Sequence, residues 1–327
     1  MSKILKRFIT KSLSVSYFGE NWINNLTQNI IEAGRTISYV ETLCNKADTL
    51  HLKIKQIDKK LIMRVFEDNV RIAIKKLNIK KVKIAFDVTE DLTWIKEKVH
   101  LRPSSKEKHL PAWQYLNLSI VEPFFFPLMS VHYSLFNSLD NLVIDLLNYV
   151  KSLRLEIDLI LFDRGFYKGS LINYLNRNNF PYLMLVPKRG KIKRFAEETK
   201  SLNSFIHEIK YNKNGSGHSS ETRIIARRID EKVCWCYATN KKSSLDLVLE
   251  YKKRWNIETG FRVHDEARIK SKSKHDLIRY FYHLIGMLLI IIWRIQNKIN
   301  YSTFKRFLKI LEYQFYSDEI KKLLAPP

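Results

Sequence analysis

The stretch YKKRWNIETGF at residues 251–261 sets Tyr251, Arg254 and Glu258 at i, i+3 and i+7, with Arg262 four residues further on. On a continuous helix, at about 100° per residue, these four span an arc of roughly 80° on one face. The arrangement has two readings. One is an amphipathic helix with a surface ion pair. The other is a metal-binding glutamate flanked by groups that hold anions. Two aspartates favour the second. Asp87 lies at the end of the apolar run KVKIAFDV, and Asp163 ends EIDLILFD. A carboxylate at the end of an apolar strand is costly unless it is paired or bound to metal. Three carboxylates around one point make a poor core and a good seat for hard divalent cations, which take oxygen ligands and keep several waters. Two such ions about 3.5–4 Å apart can activate a water or a 3′-hydroxyl and stabilise the leaving oxygen. That chemistry cuts or joins phosphodiesters.

The elements that must position these residues follow from periodicity. Residues 20–78 carry helical patterning and no proline. Gly34 is expected to end one helix, and Ser38 with Glu41 to open the next as a capping box. SYVETLCNK and ADTLHLKIKQI then make two short helices joined by a tight turn. This pair is either a helix-turn-helix with Lys53 and Lys55 on its second helix, or part of an ordinary three-helix bundle. From residue 80 the period shortens. KVKIAFDV, YLNLSIV and FFFPLMSVHY are strands, the last two joined by a turn at Glu122-Pro123. Ser138 is expected to cap a helix. EIDLILFD is a fourth strand, GSLINYLNRN a helix and FPYLMLVPK a fifth strand. Residues 190–242 read as a small β-rich insertion with NKNGSGHSS as its tip. Ser243 or Ser244 is expected to cap the helix that carries Glu258, with Trp255 and Ile257 as apolar flanks. The rest of the chain is helical and basic.

Three antiparallel strands followed by strand–helix alternation around one mixed sheet is the order of a ribonuclease-H-like α/β fold. In that order the first and fourth strands lie side by side and parallel, so Asp87 and Asp163 emerge at one edge. The expected organisation is an N-terminal helical domain over 1–79, a catalytic domain over 80–272 with its insertion near 190–242, and C-terminal helices over 273–327.

Charge indicates the partner. The 327 residues include 57 Lys+Arg against 33 Asp+Glu, a net charge of +24. An excess of that size points to a polyanion, nucleic acid first. A membrane surface is disfavoured, because the basic residues spread over polar strands and loops and do not line one amphipathic helix. The 45% hydrophobic residues suffice for a sizeable core. Three cysteines, Cys44, Cys234 and Cys236, form no zinc pattern and read as reduced thiols of a cytosolic protein, the last two on one face of a strand. The N-terminus lacks signal-peptide features. LIGMLLIIIW at 284–293 is too short to span a bilayer and reads as a buried helix.

FDRGF after an apolar strand, YATN closing the insertion, and Y-x2-R-W-x-I-E on the next helix resemble the DDE transposases of prokaryotic insertion sequences. More narrowly they resemble the subgroup with a Tyr–Arg–Glu–Lys signature, over roughly residues 80–295. The resemblance implies that Asp87, Asp163 and Glu258 are catalytic ligands of Mg²⁺ or Mn²⁺, in a pair of ions. It implies that Tyr251 and Arg254 contact a DNA phosphate near the scissile bond. It also implies a protein that binds the terminal inverted repeats of its own element as a homodimer or higher multimer and cuts and transfers DNA strands, in a prokaryotic cytoplasm at the nucleoid. The N-terminal helices would read sequence, and Lys191, Lys193, Arg194, Lys210, Arg223, Arg227 and Arg228 would wrap the DNA. One position departs from the signature: where it has lysine, seven residues beyond the glutamate, this chain has Asp265, and Arg262, Arg268 or Lys270 is the candidate substitute. A decayed or domesticated nuclease of the same fold, or a DNA-binding regulator, is the alternative reading.

Overall fold

The computed structural model describes residues 2–12, 20–36, 38–44, 47–93, 95, 100–105, 107, 109–213, 215–242, 246–265, 268–297 and 303–323. They form two compact units. One comprises residues 1–78, 126–129 and 259–327, the other 79–125 and 130–258.

The first unit is helical. It holds α1 (Ser2–Ser12), α2 (Glu20–Thr36), α3 (Val40–Leu43), α4 (Ala47–Lys55) and α5 (Lys59–Leu77). Helix α2 runs two residues past Gly34. The capping box at Ser38 does not form. Tyr39 stands at the N-cap of α3 without a side-chain bond. The Ser38 hydroxyl accepts from Thr36, and Glu41 accepts from Ser271 and from the Lys272 amide. Glu41 thus serves a tertiary contact, and α3 is a single turn. Helix α5 shows what good local signals do. Its N-cap Asp58 accepts from the Lys60 amide at 2.9 Å, and Asn78 closes it in the left-handed region at φ 52°.

The second unit is built on a nine-stranded mixed sheet. Its elements are β1 (Lys81–Leu92), β2 (Arg102–Pro103), β3 (Pro111–Glu122), β4 (Phe126–His132), α6 (Leu139–Ser152), β5 (Glu156–Phe162), a 3₁₀ turn (Arg164–Phe166), α7 (Gly169–Arg177), β6 (Tyr182–Leu185), α8 (Gly190–Glu198), β7 (Leu202–Lys213), β8 (Ser216–Arg228), β9 (Cys234–Thr239) and α9 (Asp246–Lys252). The strand order is β2-β3-β1-β5-β6-β9-β8-β7, with β4 pairing β3 off this path. β1 pairs antiparallel with β3 and parallel with β5, and β5 pairs parallel with β6. This is the expected ribonuclease-H-like arrangement. The all-apolar end of β5 is buried on both faces, as a central parallel strand requires. Ser138 stands at the N-cap of α6, as expected, without a side-chain cap bond.

Residues 190–242 hold three strands, as expected, and one helix. Residues 190–198 are helix α8, and β9, β8 and β7 continue the main sheet outward from β6. β7 and β8 pair along their whole length as a long hairpin. Ile224, Ile225 and Ala226 of β8, all buried, pair with Ala238, Tyr237 and Cys236 of β9, a partner that local polarity does not reveal. Cys234 and Cys236 are buried free thiols in β9.

The expected continuous helix through Tyr251 is interrupted. α9 ends at Lys252, a turn follows, and α10 (Trp255–Asp265) begins anew, passing from the second unit to the first after Glu258. Ser243 and Ser244 lie outside the described residues. The first unit is completed by α11 (Asp276–Asn297) and α12 (Phe304–Leu323). α11 is long and apolar enough to cross a membrane, but 83% of that stretch is buried in the fold, so it is a core helix. Ile278, Leu284, Leu288 and Ile292 are fully inside, each contributing about 1.5–3 kcal/mol.

Candidate active site

Register sets the two aspartates side by side. The last pair between parallel β1 and β5 is Ala85 with Leu161. Two residues further on each chain stand Asp87 and Asp163. The expectation that Asp87 ends its strand is corrected in one respect. β1 continues to Leu92, paired only with β3, and Asp87 faces Asn117 there. It lies where β5 gives out, which leaves room beside it. Asp163 caps the 3₁₀ turn, its Oδ1 accepting from the Arg164 amide at 2.7 Å. Beneath them Phe86 stacks on Phe162 at 5.1 Å between ring centroids, with Phe166 beside both.

The α9–α10 segment supplies the rest. At its break the Arg254 amide donates to the Tyr251 carbonyl and the Ile257 amide to the Arg254 carbonyl, at 3.0 and 2.9 Å. Ile257 is fully buried and anchors the segment, whereas Trp255 is 49% exposed and does not serve as an apolar flank. Arg254 is buried to 8% exposure. Its Nη2 pairs with Glu258 Oε1, and its Nη1 stands 4.0 Å from Asp87 Oδ1. Its Nε is buried without a hydrogen bond. Arg254 therefore links the first and third expected carboxylates. Tyr251 does otherwise than the resemblance implied. It is 4% exposed, and its hydroxyl donates to the carbonyl of Phe162, the residue before Asp163, at 3.2 Å. In this position it braces the end of β5.

A second charged group, absent from the sequence reading, fixes the same segment. Lys83 of β1 is buried and pairs with Glu250 of α9, with Glu122 at 3.3 Å and with Asp158 at 3.6 Å. Lys253 bridges Glu122 at 2.5 Å and Glu250 at 2.9 Å. Asn256 adds a bond to the Val121 carbonyl at 3.1 Å. The signal was available in EYKKRWN, where Glu250 and Lys253 flank Tyr251, but only the sheet register shows which strand they meet.

The electrostatics of the two aspartates and the glutamate are unbalanced. The Asp87 carboxyl is pushed up to about 6, first by burial; Arg254 pulls it back, while Glu258 and Asp163 push it further up. Arg254 is raised: burial opposes its charge, and Tyr251, Asp163, Glu258 and Asp87 outweigh that. Among the described residues no three His, Cys, Asp or Glu side chains stand together as a ready metal cage. The donor chemistry nonetheless suits a hard divalent ion. The donors are carboxylate oxygens, and the Asp87 carboxyl, raised first by burial, loses solvation for its charged form that a bound cation would replace.

The other expected DNA contacts divide. Lys53 and Lys55 are exposed in the last turn of α4, and Arg262 is exposed in the last turn of α10. Arg227 is half-buried opposite Trp235. Arg228 is committed within the fold. Its guanidinium donates to the carbonyls of Ala196, Glu197, Thr199 and Glu231, closing the C-terminus of α8. Beside it lies a cavity of about 420 Å³ lined by Lys188, Lys193 and Lys232 with Glu197 and Glu231.

A transposase DDE-domain family model matches residues 140–293, a span that includes Asp163 and Glu258 and leaves out Asp87. No curated protein matches. Among solved structures the chain is similar to the piggyBac transposase in a synaptic complex with hairpin DNA, at a TM-score of 0.60 and 12% identity, covering 99% of this chain and 79% of that one. An endonuclease V from Bacillus subtilis follows at a TM-score of 0.25 and 13% identity, covering 74% and 95%. The fold is similar to that of the piggyBac transposase, and the transposase domain model covers residues 140–293 of the 327.

Proposed function

We propose that the chain is a DNA transposase of the insertion-sequence type with a Tyr–Arg–Glu signature, and that Asp87, Asp163 and Glu258 hold its divalent ions, Mg²⁺ or Mn²⁺, two in number. The observation that carries this reading is the register of β1 against β5, which sets Asp87 beside Asp163, together with the Arg254 bridge from Asp87 to Glu258. When bound, the ions supply activation of the attacking hydroxyl and neutralisation of charge on the leaving oxygen. The chain's own residues do the rest. Asp87 gives up its proton as the site fills. Arg254, relieved of Glu258, offers a planar fork to a phosphate of the cut strand. Tyr251 holds the end of β5, and with it Asp163, in place. The helical unit, with Lys53 and Lys55, reads the ends of the element. The substrate is double-stranded DNA, bound by at least a dimer.

The test uses the full chain and a plasmid carrying the DNA that flanks its own coding sequence, with Mg²⁺, Mn²⁺ or EDTA. Metal-dependent breaks at the repeat ends, followed by strand joining and absent from Glu258→Gln, support the reading. Cutting without joining converts it to a nuclease. Binding by both forms without cutting converts it to a regulator. A readout apart from activity is thermal: Mn²⁺ should raise the melting temperature of the wild type and leave Asp87→Asn unmoved.

A further inference from the structure

The sheet is finished differently at its two ends. At the β2 end the outer strand is two residues long, and Pro103 has no amide hydrogen to offer a further strand. At the other end stands β7, twelve residues long and without proline. Its pairing with β8 runs one to one from Leu202 to Lys213 with no bulge to twist the edge away. In an antiparallel pair, alternate residues turn amide and carbonyl toward the partner, and the residues between turn theirs outward. Half of β7 therefore faces outward with its backbone, along an edge of about 40 Å.

One face of β7 is already packed. Phe205 meets Phe195 of α8 edge-on at 4.4 Å between ring centroids, and the Tyr211 ring lies where a side chain on Gly169 would stand. The other face carries Ile206, Glu208, Lys210 and Asn212, all exposed. An outer strand of this kind accepts another strand through main-chain hydrogen bonds.

The residues along β7 select which strand. Residues that face each other across a ladder must both turn their backbone into it. A second β7 running antiparallel therefore sets even-numbered residues opposite even and odd opposite odd. Within that set, centring the pair on Ile209 places Glu208 of each copy opposite Lys210 of the other, and His207 opposite Tyr211. Centring it on Glu208 or on Lys210 sets like charges face to face, and centring it on His207 sets Glu208 against Ile206. Opposite charges in facing positions favour a pair, and like charges oppose it. Although the chain carries a net charge of +24, the middle of this edge is neutral and self-complementary, a poor seat for phosphates.

We infer that β7 is a contact between two copies of this chain, its outer edge pairing antiparallel with β7 of a second copy in the register centred on Ile209. The inference names a surface for the dimer proposed above and rests on that reading for its purpose, while the contact itself needs no DNA.

The experiment follows the mass of the full chain by sedimentation over a dilution series. Wild type, Glu208→Lys, Lys210→Glu, the double variant Glu208→Lys/Lys210→Glu and an equal mixture of the two single variants are compared. The wild type should pass from monomer to dimer as concentration rises. Each single variant sets like charges opposite at two places and should need about 10-fold more protein to dimerise. The double variant should return to the wild-type midpoint. So should the mixture, in which unlike copies pair. Ile209→Cys should give a disulfide-linked dimer under mild oxidation, because the two residues meet on the axis, and Ile206→Cys should not. The native Cys44, Cys234 and Cys236 are buried and leave the comparison clean. A wild type that stays monomeric, a dimer indifferent to either reversal, or single variants that neither the double variant nor the mixture restores would overturn the contact. Crosslinking no better through Ile209→Cys than through Ile206→Cys would overturn it as well. None of these results bears on DNA cleavage, so the proposed function is decided separately by the plasmid assay.

Discussion

Lys83 and Asp87 stand four residues apart on β1, on the same side of the strand, with the α9–α10 segment running past both. Around Lys83 the charges close: one buried ammonium meets Glu122, Asp158 and Glu250, and Lys253 neutralises the surplus. Against the upward push of burial, Lys83 and Lys253 hold Glu250 below the usual range of its carboxyl. Around Asp87 they do not close. Arg254 is drawn on by Asp87, Asp163 and Glu258 at once, and the Asp87 carboxyl rises. The two ends of one strand thus differ: charge is satisfied around Lys83, and around Asp87 burial and like charge outweigh the pull of Arg254.

The sharpest way to break this contrast is to remove a carboxylate on the deficient side. Asp163→Asn and Glu258→Gln should lower DNA cleavage by about 10³-fold or more, since metal-borne charge stabilisation is worth several kcal/mol, while leaving DNA affinity in a filter-binding assay unchanged. On the balanced side, Lys83→Met should cost about 1–3 kcal/mol of stability in urea denaturation, because it takes the buried ammonium from Glu122, Asp158 and Glu250, which stay part-exposed, Glu122 and Glu250 keeping Lys253 as a partner.

Asp87→Asn should act in the opposite sense. With its pKa raised from 3.8 to about 6 in the folded state, the carboxyl favours folding below pH 4 and burdens it as pH rises through 6. In metal-free buffer above pH 6 the asparagine variant should therefore be more stable by up to about 3 kcal/mol, with the gain vanishing near pH 4. A gain that persists unchanged at pH 4 would sink the account of a raised Asp87 carboxyl. The smallest effect is reserved for Tyr251→Phe. Losing one bond to the Phe162 carbonyl should cost about 1 kcal/mol and leave the salt dependence of DNA binding intact. If the tyrosine met a phosphate instead, affinity at low salt would fall.

The sequence showed the parts of this arrangement that depend on period and composition. The strand order, the parallel neighbours β1 and β5, the aspartates at one edge and the buried α11 follow from apolar runs and their alternation. What it hid depends on partners distant in the chain. That β7, β8 and β9 extend the main sheet is not visible until β9 is paired with β6. Glu41 looks like a cap until Ser271 is found beside it. Arg228 gives no local sign that its guanidinium closes the C-terminus of α8. The break between α9 and α10 is hidden for a similar reason: YKKRWNIE has no glycine or proline to announce it, and the Lys83 network and the Tyr251 hydroxyl hold it from outside the segment. Tyr251, Arg254 and Glu258 do share one neighbourhood, by a turn and not by helical spacing.

The parallel pairing of β1 with β5, completed by Glu258 from a segment far downstream, also sets a timetable. Residues 87, 163 and 258 reach the ribosome exit in that order, and parallel strands so distant in sequence pair late and slowly. A nascent chain that carries the first two carboxylates still lacks α9, the Lys83 anchor for it, and the third. The full set of charges exists only once most of the protein has been made and folded, so synthesis itself delays the moment at which the three carboxylates and Arg254 can meet.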